Sequence, residues 1–278
     1  MLKIITDSAA DLSLEVAEEY GITVVPLAVN INEKSYRDRF DLTPAEFYKM
    51  LAKENALPTT SQVTPQAFYE IFQKLVDEGH EVLAIIFSSE LSGTFQSSVI
   101  AKDMVKTGRV EIFDTKGASV GHGLTVLEAA RMAKEGKDLD IVLAKAKEMA
   151  GRMEHIFVVD SLDMLKKGGR ISATQAFLGG MLNVKPVLQL KEGKIIPLDK
   201  VRGWKKALAK LINVMEERGR DFEQQVIGIS HADYEEMAKD LAEQIKARFK
   251  VKDIFISEIG PVIGSHTGPG TIALFFQS

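Results

Sequence analysis

Cysteine is absent from this 278-residue chain, which excludes disulfides, thiolate metal sites and cysteine nucleophiles and fits a reducing compartment. Positive charge is not in excess: 35 Lys+Arg against 39 Asp+Glu give a net charge of −4, which argues against a general nucleic-acid binder. No apolar run is long enough to cross a bilayer, so no transmembrane segment is expected. The opening Met1-Leu2-Lys3-Ile4-Ile5-Thr6-Asp7 reaches an acidic residue too soon for a signal peptide, and a cytoplasmic location is expected. Internal repeats and low-complexity segments are missing. So is a nucleotide-phosphate loop: Gly117-Ala118-Ser119-Val120-Gly121-His122-Gly123 lacks the Walker lysine and the dinucleotide spacing, and turn geometry is the preferred account of its glycines.

What the chain does have is 45% hydrophobic and 27% charged residues, the balance of a folded globular protein with a substantial core. Apolar β-branched runs at Leu2–Thr6, Ile22–Val25, Leu27–Ile31, Val82–Phe87 and Val110–Phe113 alternate with amphipathic helical stretches. Helices are predicted over Ser13–Tyr20, from Thr43-Pro44-Ala45-Glu46 toward Lys53, from Pro65, after Ser92, and over Gly121–Lys134 and Leu139–Arg152. Strands followed by crossover helices imply a parallel, doubly wound sheet, whose ligand sites lie at the strands' carboxyl ends. Asp7-Ser8, Ser88-Ser89 and Asp114-Thr115 fall there.

The second half differs. It has a strand at Ile156–Val159, an apolar helix over Ser172–Met181 and a hairpin of Val187–Leu190 with Ile195–Leu198. Helices at Arg202–Glu217 and Tyr234–Phe249 and strands at Val226–Ile229, Asp253–Ile256 and Thr271–Phe276 complete it. The fold class predicted is α/β in two domains: a Rossmann-like parallel sheet flanked by helices over residues 1–152, and a mixed-sheet domain over 153–278. Residues 59–78 could pack with either.

Three hydroxyl- and glycine-rich stretches carry the functional signal. They are Thr59-Thr60-Ser61-Gln62, Ser88-Ser89-Glu90-Leu91-Ser92-Gly93-Thr94 and Gly264-Ser265-His266-Thr267-Gly268-Pro269-Gly270-Thr271. The first two precede helices, where free N–H groups and short hydroxyls form a receptor for an anion. Uncharged donors beside apolar helices suit a long-chain acid with a buried tail. Ser92 reads as an N-cap, or as a nucleophile without the glycine–x–serine–x–glycine elbow.

Among the five histidines no metal-ligand spacing occurs, and surface or loop packing is the default for His80, His122, His155 and His231. His266 stands apart because Gly264, Gly268 and Gly270 flank it in a loop needing unusual backbone angles. Arg170, after Lys166-Lys167-Gly168-Gly169, reads either as part of a solvated basic turn or as an anion-facing arginine on a flexible loop. Lys185, Lys191, Lys194, Lys200, Arg202, Lys205 and Lys206 suggest a basic docking face. Phe68, Phe72, Phe95, Leu178, Met181 and Phe275 are candidates for a tunnel wall, each read first as ordinary core.

In order along the chain, Thr6-Asp7-Ser8-Ala9-Ala10-Asp11-Leu12, Thr60-Ser61-Gln62, Ser89-Glu90-Leu91-Ser92-Gly93-Thr94, Lys167-Gly168-Gly169-Arg170-Ile171-Ser172 and Gly264–Gly270 resemble the DegV family. These are the fatty-acid-binding subunits of bacterial fatty acid kinases. Val63-Thr64-Pro65 departs mildly, since many members place proline directly after the glutamine. The resemblance implies two α/β domains with one long-chain fatty acid between them, and no cofactor or metal. It implies that the carboxylate meets Thr60, Ser61 and Ser92, with Gly93, Thr94 and Thr267 beside them. Arg170 and His266 match the family residues at the carboxylate end that assist phosphoryl transfer. The phosphoryl donor would be ATP on a separate kinase subunit, so the chain itself is expected to be a carrier, not an enzyme. The rival expectation is an independent hydrolase or sugar-type kinase using Ser92 or His266; a weaker third is a ligand-responsive interaction protein.

Overall fold

A computed structural model describes residues 1–54, 57–171 and 183–278; the predicted helix over Ser172–Met181, with Leu178 and Met181, lies outside the described residues. From the N-terminus run Leu2–Asp7 (β1), Leu14–Tyr20 (α1), Ile22–Val25 (β2), Ala28–Ile31 (β3), Lys34–Arg37 (β4) and Pro44–Glu54 (α2). Thr59–Ser61 (β5), Pro65–Asp77 (α3), Glu81–Ile86 (β6), Thr94–Met104 (α4), Val110–Asp114 (β7), Ser119–Lys134 (α5) and Leu139–Arg152 (α6) follow.

Helix ends obey local chemistry. Ser13 Oγ accepts the Val16 N–H at 3.2 Å to start α1, and Gly21, at φ 67°, closes it in the left-handed conformation. Thr43 and Glu46 form the reciprocal capping box before α2: Glu46 Oε2 accepts the Thr43 N–H at 3.0 Å, and Thr43 Oγ1 accepts the Glu46 N–H at 3.3 Å.

The first sheet has the order β2-β1-β6-β7, all parallel. Its strands are apolar on both faces because helices cover both. Ile4, Leu83 and Ile85 pack with Val126, Leu139 and Val142 of α5 and α6, whereas Ile5, Val82, Ala84 and Ile86 join Phe68 and Phe72 of α3. A small antiparallel sheet, β4-β3-β5, stands beside it, with Val29 opposite Thr60.

The second half comprises Met153–Val158 (β8), Asp163–Lys167 (α7), Val184–Lys191 (β9), Lys194–Arg202 (β10) and Trp204–Arg218 (α8). Val226–His231 (β11), Glu235–Arg248 (α9), Asp253–Glu258 (β12), Pro261–Thr267 (α10) and Ile272–Gln277 (β13) complete it. Its six-stranded sheet, β10-β9-β8-β13-β11-β12, is mixed: only β11 and β12 run parallel. One face carries Ile156, Ile227, Leu274 and Phe276 against Leu208, Leu211, Leu241 and Ile245 of α8 and α9. The other face, with Phe157, Leu188, Ala273 and Phe275, packs against Val120 and Leu124 at the start of α5. The class is therefore α/β, with one parallel and one mixed sheet, as the sequence predicts.

Two expectations need correction. The glycine stretch around His266 is not a loop throughout: Gly264, Ser265 and His266 lie in α10, and only Gly268 (φ 78°) and Gly270 (φ 77°) have the positive φ that favours glycine. Gly264 is required by proximity instead, since a Cβ there would sit 2.6 Å from the Tyr48 hydroxyl. The threonine–serine stretch is an edge strand before it is a helix approach.

Candidate functional site

A cavity of about 180 Å³ opens between the two sheets. The residues after the carboxyl ends of β6 and β7 reach it through Phe87, Ala118 and Ser119, in keeping with the general rule for parallel sheets. Phe157, Leu190, Ile195, Ala273 and Phe275 supply an apolar floor from the second sheet. Asp7, fully buried at the end of β1, steadies this rim: its carboxylate accepts the Phe87 N–H at 2.9 Å and the Ala9 N–H at 3.0 Å. Burial pushes its carboxyl up to about 7, against the opposing pull of those two donors.

Seven of the eight sequence candidates line this cavity: Thr60, Ser61, Ser92, Gly93, Arg170, His266 and Thr267. Thr94 stands behind them, fully buried, and bonds Ser92: the two hydroxyls are 3.0 Å apart, and the Thr94 N–H donates to Ser92 Oγ at 3.2 Å. The helix cap assigned to Ser92 falls to Gly93, which makes no side-chain cap. The hydroxyl segments are laced together, because the Val63 N–H donates to Thr94 Oγ1 at 3.4 Å and Gln62 Nε2 to Ser97 Oγ at 3.0 Å. Ser61 is exposed and its hydroxyl accepts from Asn30 Nδ2 at 3.1 Å.

The polar end is organised around His266. Its Nε2 lies 2.7 Å from Thr60 Oγ1, while its buried Nδ1 has no hydrogen-bond partner among the described residues. Burial, and secondarily the Arg170 charge, pulls the ring down to about 4, so it is neutral at physiological pH. Gly168 makes room: a Cβ there would lie 2.2 Å from His266 Nδ1.

Arg170 is not the freely projecting side chain that a flexible loop would give. Its Nε donates to the Leu91 carbonyl at 3.1 Å and its Nη1 to the Gly168 carbonyl at 2.5 Å, which fixes the guanidinium in the cavity lining near His266. Among the described residues no hydrogen bond joins Ser92 to a histidine, so the pairing a serine hydrolase needs is not formed.

Several features escaped the sequence reading. His122, His155 and His231 are buried, not surface or loop residues. His122 is 3.0 Å from Thr6 Oγ1 and 3.2 Å from Thr115 Oγ1, and burial pulls it down to about 3. His155 lines the cavity edge-on to Phe275, with ring centroids 5.4 Å apart. Gly117 and Gly121 admit it, since Cβ atoms there would fall 2.7 and 2.6 Å from His155 Nε2, which is what those glycines are for. Ser119 and Ser230 also reach the cavity. Phe68 and Phe72 are plain core, and of the described tunnel candidates Phe275 alone borders the cavity. Lys185 leaves the proposed basic face: it is buried, ion-paired with Asp160, and lies over the Trp204 ring at 5.3 Å. Lys191, Lys194, Lys200, Arg202, Lys205 and Lys206 are exposed.

An apolar cavity between two α/β sheets, closed at one end by hydroxyls, a neutral imidazole and a guanidinium, defines a small-molecule binding protein for an amphipathic anion. The chain belongs to the DegV family: the family model, described as uncharacterised protein, DegV family, matches residues 1–278. A DegV domain-containing protein of Caldanaerobacter subterraneus is 42% identical over 99% of this chain and 98% of its own. A solved DegV family protein from Thermus thermophilus, reported for fatty acid binding, superposes with a TM-score of 0.92 at 35% identity, covering 100% of this chain and 99% of that one. DegV of Bacillus subtilis, described as a fatty acid binding protein, superposes at 0.90 with 32% identity over 100% and 99% of the two chains. No helix among the described residues is long and apolar enough to cross a membrane.

Proposed function

We propose that this protein binds one long-chain fatty acid between its two halves, residues 1–152 and 153–278, and presents the carboxylate to a separate ATP-dependent kinase. The observation that carries the proposal is the cavity's polarity gradient. Thr60, Ser92, Arg170 and His266 cluster on one side, where His266 meets Thr60 and Arg170 bonds the Leu91 carbonyl, while most of the remaining lining is apolar, with His155, Ser119 and Ser230 among it. Thr271, just before β13, and Phe275 within it are four residues apart, about 13 Å at the usual strand rise, and Ala273 lies between them on the cavity side. Burying about fourteen methylenes at about 0.8 kcal/mol each is worth on the order of 11 kcal/mol before ordering costs. The fatty acids bound by the relatives support the same ligand class.

Neutral donors suit a carboxylate that must react. With its proton on Nε2, His266 donates to Thr60 Oγ1 and leaves the threonine hydrogen free for a carboxylate oxygen. A bidentate arginine would hold the anion more firmly but blunt its attack. Two of Arg170's donors are committed to carbonyls, which keeps the guanidinium's positive charge beside His266 and Thr60. There it would offset the charge that develops as a carboxylate oxygen attacks the γ-phosphorus of ATP on the partner. ADP leaves, and the product is an acyl phosphate. The exposed Lys191, Lys194, Lys200, Arg202, Lys205 and Lys206 offer the partner a basic face. Mass spectrometry of a denaturing extract of the purified protein tests the ligand, and repeated preparations without fatty acid refute it.

A further inference from the structure

We propose that Asp11 is the positioning residue of the polar end: it fixes the start of α10 and thereby sets where His266 meets Thr60. This rests on the carboxylate-receptor reading of that end. Asp11 is fully buried after β1, and four residues from three segments converge on it. Its Oδ1 accepts the Gly260 N–H at 2.7 Å and Arg39 Nη2 at 3.0 Å. Oδ2 accepts the Ser119 hydroxyl at 2.5 Å, and its carbonyl accepts the Ser257 hydroxyl at 2.6 Å. Arg39 also donates to the Glu258 carbonyl at 2.5 Å, so one ion pair ties the small sheet, β1 and the end of β12 together.

Gly260 immediately precedes α10 and lies flush on these charges. A Cβ there would meet Arg39 Nε at 3.0 Å, Asp11 Oδ1 at 3.1 Å and Asp38 Oδ1 at 3.2 Å. The Tyr48 hydroxyl pins the preceding Ile259 carbonyl at 3.0 Å. Helix α10 spans 7 residues, about 10 Å at the α-helical rise, and carries His266 in its last turn. A short rigid helix anchored at one end and read out at the other makes Asp11 act through His266, without touching a ligand. Ser119, held by Asp11 and 3.0 Å from Ser230, extends the same control to the cavity wall.

The test uses the full chain stripped of lipid, with palmitate as probe, and compares Asp11→Ala, Asp11→Asn and Ser257→Ala. Ser257→Ala loosens the same junction without touching Gly260. Nitrogen-15 NMR of the His266 ring is read beside palmitate affinity. Asp11→Ala is expected to weaken palmitate by about tenfold or more and to move the His266 signals toward those of a solvated imidazole titrating near its ordinary value of about 6.5. Asp11→Asn, which keeps the acceptor for Gly260, should recover part of both, and it is the variant read if alanine fails to fold. Ser257→Ala should move neither. Unchanged His266 signals in the Asp11 variants, or equal changes in Ser257→Ala at matched loss of stability, overturn the proposal. Wild-type protein that ignores palmitate sinks the carboxylate reading instead, and the His266 signals still decide the positioning.

Discussion

The two ends of the cavity are built by different means. The polar end is assembled from β5, the loop before α4, the residues after α7, and α10, and is held by side-chain hydrogen bonds such as His266–Thr60 and Arg170–Leu91. The apolar end comes from neighbouring strands whose backbone ladders fix Phe275 opposite His155. Chemistry is thus entrusted to four short, separate segments that side chains must hold together, and shape to a sheet that needs no such help. Head-group changes should therefore alter binding and turnover for every acid alike, whereas tail-end changes should alter which acid is preferred.

The sharpest separation is expected from Arg170→Ala. Kinase-coupled acyl phosphate formation should drop by about a hundredfold or more, the scale of losing a transition-state donor, while fatty acid still copurifies. Full turnover in this variant would end the role given to Arg170. Thr60→Val should weaken affinity by about ten- to a hundredfold, as for one hydrogen bond to a charged group, and by the same factor for short and long acids in calorimetry. Phe275→Ala should do the reverse, since the space it vacates favours longer acids by about 0.8 kcal/mol for each methylene newly buried. Competition between acids of different length measures that shift, and an unchanged ranking would break the division between the ends.

The smallest effect concerns Asp38, which is buried beside Arg39 with the Ser8 hydroxyl and the Val262 N–H as its nearest, weakly placed donors. Burial lifts it from 3.8 to about 7, against the Arg39 charge that lowers it. The folded protein keeps this proton where the unfolded chain has lost it, so stability falls as pH rises from about 4 to about 7 and is level above that. Asp38→Asn should then gain stability at pH 8 relative to pH 5. Between these two pH values the ceiling is about 3 kcal/mol, and about 1 kcal/mol is expected because local relaxation and the nearby Arg39 charge soften the cost of the ionised form. Urea denaturation at the two pH values measures it; equal differences at both would refute the assignment.

Strands and helices with clean periodicity were legible in the sequence: α6 and β2 have the predicted limits, and the hairpin of β9 and β10 turns at Glu192-Gly193. What escaped lacked an apolar signal. β4 carries Lys34, Ser35 and Arg37, and β5 is three hydroxyl residues, so neither shows an alternating pattern. Helix α10 hides behind Gly264, whose role depends on Tyr48, far away in the chain. The candidate site was visible as residue types because hydroxyls, glycine and arginine are unusual in clusters. Asp11, Arg39, Ser119 and His155 were not, because their meaning comes from contacts between distant segments.

One helix has a further consequence. Val120 and Leu124 of α5 lie against the second sheet, while Val126, Ala129 and Ala130 two turns on lie against the first. The same rod is mortared into both walls, so swinging them apart like a clamshell would strip it bare. Guest molecules must come and go past the loops at the rim while this spine stays put, and backbone amides from 120 to 130 should resist deuterium equally in loaded and empty protein.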